Sequence, residues 1–382
     1  MFHATPATGR ARGSITAIFF INGILIGCWA SSIPQIKERL ALDEGTLGLA
    51  LLFFAFGSIV AMLFGGPRID SFGSRLVLLF STLGFSMSLP LVLLAGSLPQ
   101  LLAIVVVIGF ANGLMDVSMN AQGITVERQR GRPIMSSLHA FFSIGGMAGA
   151  AAAALTYGLG GELSHYLIGI CCVVIPPAIF ALQGLFADAQ PAAAIRRRIL
   201  ALPPRPLWLI AAFTFVAFVC EGAMFDWSAV YLRDALGRDA ATAAMGFGVF
   251  SAAMAAGRLL GDRMVARSSR VVILRGSAIL ACCGYALALS GESTTLTFLG
   301  YALIGLGVAN IVPVLFSLAG SQEGIGPGSG IAAVATVGYS GSLLGPAWVG
   351  FLADLSSLRL SLAVTAVFLL LLVIFCGRLR HR

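Results

Sequence analysis

The sequence predicts an all-α integral membrane protein, with twelve transmembrane helices arranged as two pseudo-symmetric six-helix bundles. Three observations lead there. The first is composition. Of 382 residues, 58% are apolar or aromatic, only 10% are charged, and the mean hydropathy is +0.95. Soluble domains carry about 25% charged residues, because their surface must hold most of their polar groups. A soluble enzyme, a nucleic-acid binder and a disordered chain are thereby excluded. The second is a series of uncharged runs of bilayer length, and the third is the placement of the arginines between them.

A bilayer core takes about 20 apolar residues as helix, since every backbone polar group must be satisfied without water. The first span, 14–34, follows Arg10 and Arg12. With eleven more spans behind it and Asn22 at its middle, it reads as a helix and not as a secretory leader. Span 46–66 fills the uncharged stretch from Gly45 to Pro67. The stretch from Leu76 to Met115 is too long for one helix and breaks at Ser97-Leu98-Pro99-Gln100, giving 75–96 and 100–126. Spans 134–158 and 163–187 are parted by Glu162. Span 206–232 continues through Glu221 and Asp226. The remaining five are 240–262, 271–290, 295–320, 328–353 and 359–379. The connections are short, so nothing large folds outside the membrane.

The basic residues are 23 Arg and Lys37. With the N-terminus in the cytoplasm, only Lys37, Arg39, Arg233, Arg238 and Arg359 fall outside. Arg258 lies within the eighth span, and all the others face the cytoplasm. Basic loops stay cytoplasmic, so the expectation is a multi-pass protein of the bacterial plasma (inner) membrane with both termini inside. The net charge of +8 is mainly this asymmetry, with some attraction to anionic lipid.

The longest polar connection holds Pro191, Arg196-Arg197-Arg198, Pro203 and Pro204. It divides the chain into an N-terminal bundle (1–187), a cytoplasmic linker (188–205) and a C-terminal bundle (206–382). The halves repeat. Gly109, Ala111 and Asn112 match Gly307, Ala309 and Asn310 at an offset of 198. Asn22-Gly23 and Trp29 match Glu221-Gly222 and Trp227 at 199 and 198. Asp70 pairs with Asp262 at 192, and Gly145/Gly149 with Gly341/Gly345 at 196. A duplicated six-helix unit places its site at the seam.

Between the second and third spans runs Gly66-Pro-Arg68-Ile-Asp70-Ser-Phe-Gly73-Ser-Arg75. It resembles the loop signature of the major facilitator superfamily: a Gly, an Asp four on, a Gly three further, then a basic residue. Gly257-Arg258-Leu-Leu-Gly261-Asp262-Arg263, with Arg267, is similar to the second-half copy. The resemblance covers essentially the whole chain and implies a secondary transporter. The fourth span, Asn112-Gly113-Leu-Met-Asp116-Val-Ser-Met-Asn120-Ala-Gln122, more loosely resembles a bacterial branch near fucose permeases and proteins tied to rhizopine transport. Fucose permeases carry acids in helices 1 and 4; here the fourth span has Asp116, while the first offers Asn22.

Intramembrane acids are costly, and each is a functional candidate. There are three: Asp116, Glu221 and Asp226. A carboxyl in a low-dielectric span can take a proton on one side and release it on the other. Asp116 shares a helix face with Asn112 and Asn120 at i, i+4 spacing, and lipid would disfavour such a stripe, so it must face the bundle interior. The alternative is hydrogen bonding between helices as structural glue, or, for Asp226, pairing with Arg233. His139 titrates near neutral pH and is read either as a proton group or as a structural hydrogen-bonding residue. Asn22, Asn112, Asn120 and Asn310 are candidates for the solute cavity. Trp29, Trp227 and Tyr339 join them, as stacking platforms for a ring-shaped solute or as interfacial anchors. Gly66, Asp70, Gly73, Arg75, Arg258, Asp262 and Arg263 fit a cytoplasmic gate. In it Asp70 meets the N-terminus of the eleventh span, and Arg258 pairs with Asp262 at i, i+4. The competing reading is that these charges only set topology.

The other signals are negative. No phosphate-binding loop precedes Lys37, so direct ATP drive is not expected. All seven Cys sit in apolar spans as small hydrophobes, and the four His form no metal site. No metal, cofactor or enzymatic activity is expected. The function expected is proton-coupled uptake of a small polar solute (a sugar, polyol or amino-sugar-like compound) by alternating access, performed by a functional monomer in the lipid bilayer. The alternative is proton-driven efflux of a drug-like or metabolite compound. Three acids against one Arg in the spans favour a neutral or cationic solute.

Overall fold

The computed structural model describes residues 6–132, 134–187, 203–322 and 325–381; of the linker 188–205, residues 188–202 lie outside the described residues. Every described element is helical. In order these are α1 (Pro6–Arg39), α2 (Glu44–Phe72), α3 (Ser74–Ser88), α4 (Leu98–Arg130), α5 (Met135–Gly158), α6 (Leu163–Gln183), α7 (Trp208–Val230), α8 (Ala240–Arg267), α9 (Arg270–Ala288), α10 (Thr294–Val308), α11 (Ile311–Gly320), α12 (Pro327–Leu355) and α13 (Leu358–Phe375). Eleven spans among the described residues are long and apolar enough to cross a bilayer. α12 has the length, 29 residues, but its many Gly and Ser dilute its apolar character.

Several boundaries differ from expectation: α2 runs on to Phe72 and α8 to Arg267, past the expected 66 and 262, and α3 stops at Ser88, short of 96. The first helix runs on to Arg39 with Pro34 inside it, five residues beyond the expected end. The tenth span is not one helix. It breaks at Ala309–Asn310 into α10 and α11, where Asn310 Nδ2 donates to Gly257 O of α8 at 2.9 Å. That side chain draws the break against α8 and fills the space beside Gly261. At the head of α8, Asp239 accepts hydrogen bonds from Thr242 N (2.9 Å) and Thr242 Oγ1 (2.8 Å). These hold its carboxyl below the usual range and satisfy the first turn.

Contacts divide the chain into two units: Met1–Ala41 with Phe53–Arg196, and Leu42–Leu52 with Arg197–Arg382. The boundary departs from the expected 1–187 and 206–382 at one place, since the first turns of α2 fall in the second unit. There Gly48 lies against Gly350 and Pro346 of α12, and Gly45 against Asp354.

Glycines fix the packing in both units. In the first, α1 and α5 run in step, with Gly145 against Phe20 O and Gly149 against Ile24 O; α4 crosses α2 with Gly109 against Phe54 O. In the second, α12 crosses α7 with Gly341 against Phe215 O and Gly345 against Val219, and α10 crosses α8 with Gly305 against Phe250 O. These contacts repeat at an offset of 195–196. The Gly145/Gly149 match with Gly341/Gly345 is therefore in register. The matches at 198–199 are two to four residues out of this register, between about half a turn and one turn. Packing places Gly305, not Gly307, opposite Gly109, and Ile26, not Asn22, opposite Glu221. Gly307 instead packs on Ala281 and Ser277 of α9.

A matched pair of substitutions tests this packing. A Cβ at Gly145 would fall on the Phe20 carbonyl, whereas one at Gly169 in α6 meets nothing within 4 Å. Gly145→Ala is expected to lose the monodisperse peak in size-exclusion chromatography of detergent-solubilised protein, and Gly169→Ala to keep it.

Candidate functional site

The polar groups of α4 form a row. Asn112, Asp116 and Asn120 are each half-buried. Four-residue spacing stacks them on one face, and Asn120 Nδ2 donates to Asp116 Oδ1 at 3.2 Å and to its carbonyl O at 2.8 Å. Asn112 Oδ1 is buried without a partner. Val107, 52% exposed, is nine residues before Asp116, which at about 100° per residue sets it on the opposite side. The helix thus presents an apolar back and a polar front.

In the second unit, Glu221 of α7 meets Arg258 of α8. Arg258 Nη2 donates to Glu221 Oε1 at 3.1 Å, and the two side chains are only 14% and 15% exposed. Arg258, expected in the cytoplasmic gate beside Asp262, thus has a charge partner on α7; the side chain of Asp262 lies outside the described residues. Arg258 lies nearer the middle of α8 (Ala240–Arg267), facing α7, and takes its charge partner there; burying an arginine in a span is tolerated when it is paired. Asp226, one turn and a half further along α7, is half-buried and has no hydrogen bond or ion pair among the described residues. Among the described residues, Asp116 and Asp226 thus have no cation partner, and Glu221 has one.

The other candidates fall into three groups. Asn22 is 1% exposed with Nδ2 unpartnered. Trp29, 5% exposed, stacks on Phe54 at 5.0 Å and 11°, with its indole N–H unpartnered. Tyr339 is 37% exposed and stacks on Phe218 at 5.1 Å, so it offers an accessible ring face. Trp227 does not. It is completely buried, and its ring is used up by core packing. Asn310 is likewise committed to the α10–α11 break. The ring of His139 meets Phe19 edge-on at 5.2 Å.

Of the gate residues, Gly73 takes φ +79° between α2 and α3, a conformation that suits glycine. Arg75 is half-buried and Arg263 exposed. The side chains of Asp70 and Asp262, and the surroundings of Gly66, lie outside the described residues. Sequence reasoning gave no role to Gln122. Its Nε2 donates to Ser74 Oγ and to Phe186 O, both at 2.9 Å, tying α4 to the head of α3 and to the segment after α6. Glu127 was also passed over, and it accepts from Ile134 N (2.7 Å) and Met135 N (3.1 Å) at the start of α5. Among the described residues no three His, Cys, Asp or Glu gather as metal ligands would.

Comparison with known proteins gives consistent matches. Residues 15–322 fit the family model described as Major Facilitator Superfamily. The chain is 36% identical over 356 residues to an uncharacterized MFS-type transporter of Yersinia pestis, covering 92% of this chain and 91% of that one. It is 31% identical over 386 residues to the membrane protein MosC of Rhizobium meliloti, covering all of this chain and 93% of that one. Among solved structures, a mutant of the nucleoside transporter NupG superposes with TM-score 0.76 at 14% identity, covering 97% of this chain and 99% of that one. A bacterial homolog of the human lysosomal transporter Spinster does so with TM-score 0.75 at 16% identity, covering 99% and 98%. At these identities the structural likeness is one of fold.

Proposed function

The chain belongs to the major facilitator superfamily, a family of transporters and not of enzymes, and we propose that it takes up a small polar solute together with protons by alternating access. The solute class is a sugar, a polyol or an amino-sugar-like compound. One observation carries the reading: half-buried carboxyls and amides stand in the middle of helices long enough to span the bilayer, with Asp116, Asn112 and Asn120 on a single face of α4. Lipid cannot solvate such a face, so a wet chamber must. A wet, acid-lined chamber in a membrane is where a solute and a proton are exchanged.

In this reading Asp116 carries the proton. Its carboxyl accepts one hydrogen bond, from Asn120, and among the described residues no cation stands beside it, so gaining or losing a proton disturbs few contacts. Asp226, also without a cation, is the second carboxyl open to a proton or to a cationic solute group. Glu221 is held by Arg258, and that pair supplies fixed charges whose rearrangement accompanies the change of access. In the first unit Asn112 offers an unpartnered amide oxygen to the solute, and in the second Tyr339 offers a ring face. Both termini face the cytoplasm, from the distribution of arginines, and the monomer is the working unit.

The test is uptake by purified protein in proteoliposomes under an acid-outside gradient, across labelled sugars, polyols and amino sugars. At least one compound is expected to accumulate, and a protonophore to abolish the accumulation. Accumulation only under an acid-inside gradient would reverse the direction to efflux. Gradient-independent equilibration would remove the proton.

A further inference from the structure

One end of the first unit, where α1 and α5 finish and α6 begins, gathers buried polar atoms that nothing satisfies. Ser31 Oγ, Gln35 Nε2, Gln35 Oε1 and Tyr157 OH all lack a hydrogen-bond partner. They are brought together by the helix geometry. Ser31 and Gln35 are four apart on α1 and share a face. The contacts Phe20–Gly145 and Ile24–Gly149 set α1 and α5 in step at an offset of 125, and two turns on this register places Tyr157 beside Ser32, which it adjoins.

The neighbours make the vacancies informative. Ser32 Oγ donates to Cys28 O at 2.7 Å, and Tyr166 OH donates to Gly149 O at 2.7 Å, while the Tyr166 ring packs against Tyr157 at 5.7 Å. Ser32 and Tyr166 have found backbone acceptors; Ser31 has Tyr166, and Tyr157 has Ser32, only as loose polar neighbours outside hydrogen-bond geometry, and Gln35 has no polar partner at either end of its amide. A buried amide left with neither donor nor acceptor satisfied is rare and calls for an explanation. Glue between helices does not supply one, because glue would be bonded.

We propose that Ser31, Gln35 and Tyr157 form a binding subsite for a neutral, polyhydroxylated solute. An amide and two hydroxyls present donors and acceptors side by side with no charged group among them. A solute hydroxyl, which both donates and accepts, matches that set, whereas a carboxylate or an ammonium would match half of it. This rests on the transporter reading above. Under the orientation proposed there, the subsite lies toward the outer ends of α1 and α5, and its atoms are shut off from solvent in this structure.

The test uses the full-length protein in lipid nanodiscs, titrated with D-mannitol and D-galactose, with gluconate and glucosamine as charged counterparts. At least one neutral compound is expected to raise the melting temperature. Gln35→Leu is expected to weaken its Kd by about tenfold, the effect of losing one or two hydrogen bonds. Without ligand that variant should melt no lower than the wild type, since leucine removes two unpaired polar atoms. Ser31→Ala, a smaller change, should weaken the same Kd a few-fold. A structural tie predicts the reverse, a lower melting temperature with unchanged Kd. That result, or failure of both neutral compounds to bind, overturns the subsite. Counterflow in proteoliposomes separates the two readings. Binding that depends on Gln35 without any counterflow sinks the transporter reading and leaves the subsite. Counterflow of glucosamine unaffected by Gln35→Leu, with no neutral compound bound, sinks the subsite and leaves the transporter.

Discussion

Asp116→Asn is expected to leave solute exchange intact and to abolish accumulation against a gradient. The substitution keeps the shape of the side chain, and its amide oxygen can still accept from Asn120 Nδ2, which lies 3.2 Å from Asp116 Oδ1. What it removes is a group that gains and loses a proton. Coupling one proton per solute, a gradient of one pH unit drives accumulation of up to about tenfold, because each unit is worth about 1.4 kcal/mol. The variant should level off at equal concentrations inside and out, while its counterflow rate stays within a few-fold of wild type. Steady-state accumulation of labelled solute in proteoliposomes measures the first, and counterflow the second. Undiminished accumulation would move the proton to Asp226 or Glu221. Loss of counterflow as well would make Asp116 a solute-binding group.

Arg258→Ala is expected to destabilise the protein by about 3–5 kcal/mol, the usual effect of leaving one member of a buried ion pair alone. Glu221 would keep its charge in the span with no other cation paired to it among the described residues. Combining the change with Glu221→Gln should recover most of the loss, since the double variant buries no bare charge. Melting temperatures of the wild type, the two single variants and the double variant complete the cycle. Additive losses would show that the 3.1 Å contact contributes little and that each side chain serves a separate purpose. Transport by the double variant then reports whether the pair does more than keep the fold.

What the sequence conveyed follows the range of the forces involved. The spans were legible because lipid imposes length and apolarity on each helix by itself. The duplication was legible too, but its register was not. Identities such as Asn22-Gly23 with Glu221-Gly222 suggested 199, whereas the glycines at the crossings set 195–196. Residue likeness follows chemistry, and register follows where two backbones touch. The Glu221–Arg258 pair was invisible for a related reason. Its members are 37 residues apart on different helices, while the nearer Asp262 offered a local partner. Gln35 was passed over because the first span was ended at 34, the position of Pro34, and the helix in fact carries on through that proline to Arg39. The break at Asn310 carries no charge to announce it. It is specified by one long-range hydrogen bond to Gly257.

The grouping of Leu42–Leu52 with the second unit bears on how the gene could be cut. A nick in the linker is the obvious way to obtain two self-sufficient polypeptides, since each would carry six spans. The piece ending before the linker would nevertheless keep Gly45 and Gly48 while losing Pro346, Gly350 and Asp354, against which they lie. Each fragment would expose a bare glycine surface to lipid, and split expression would succeed only where both fragments meet in the same membrane.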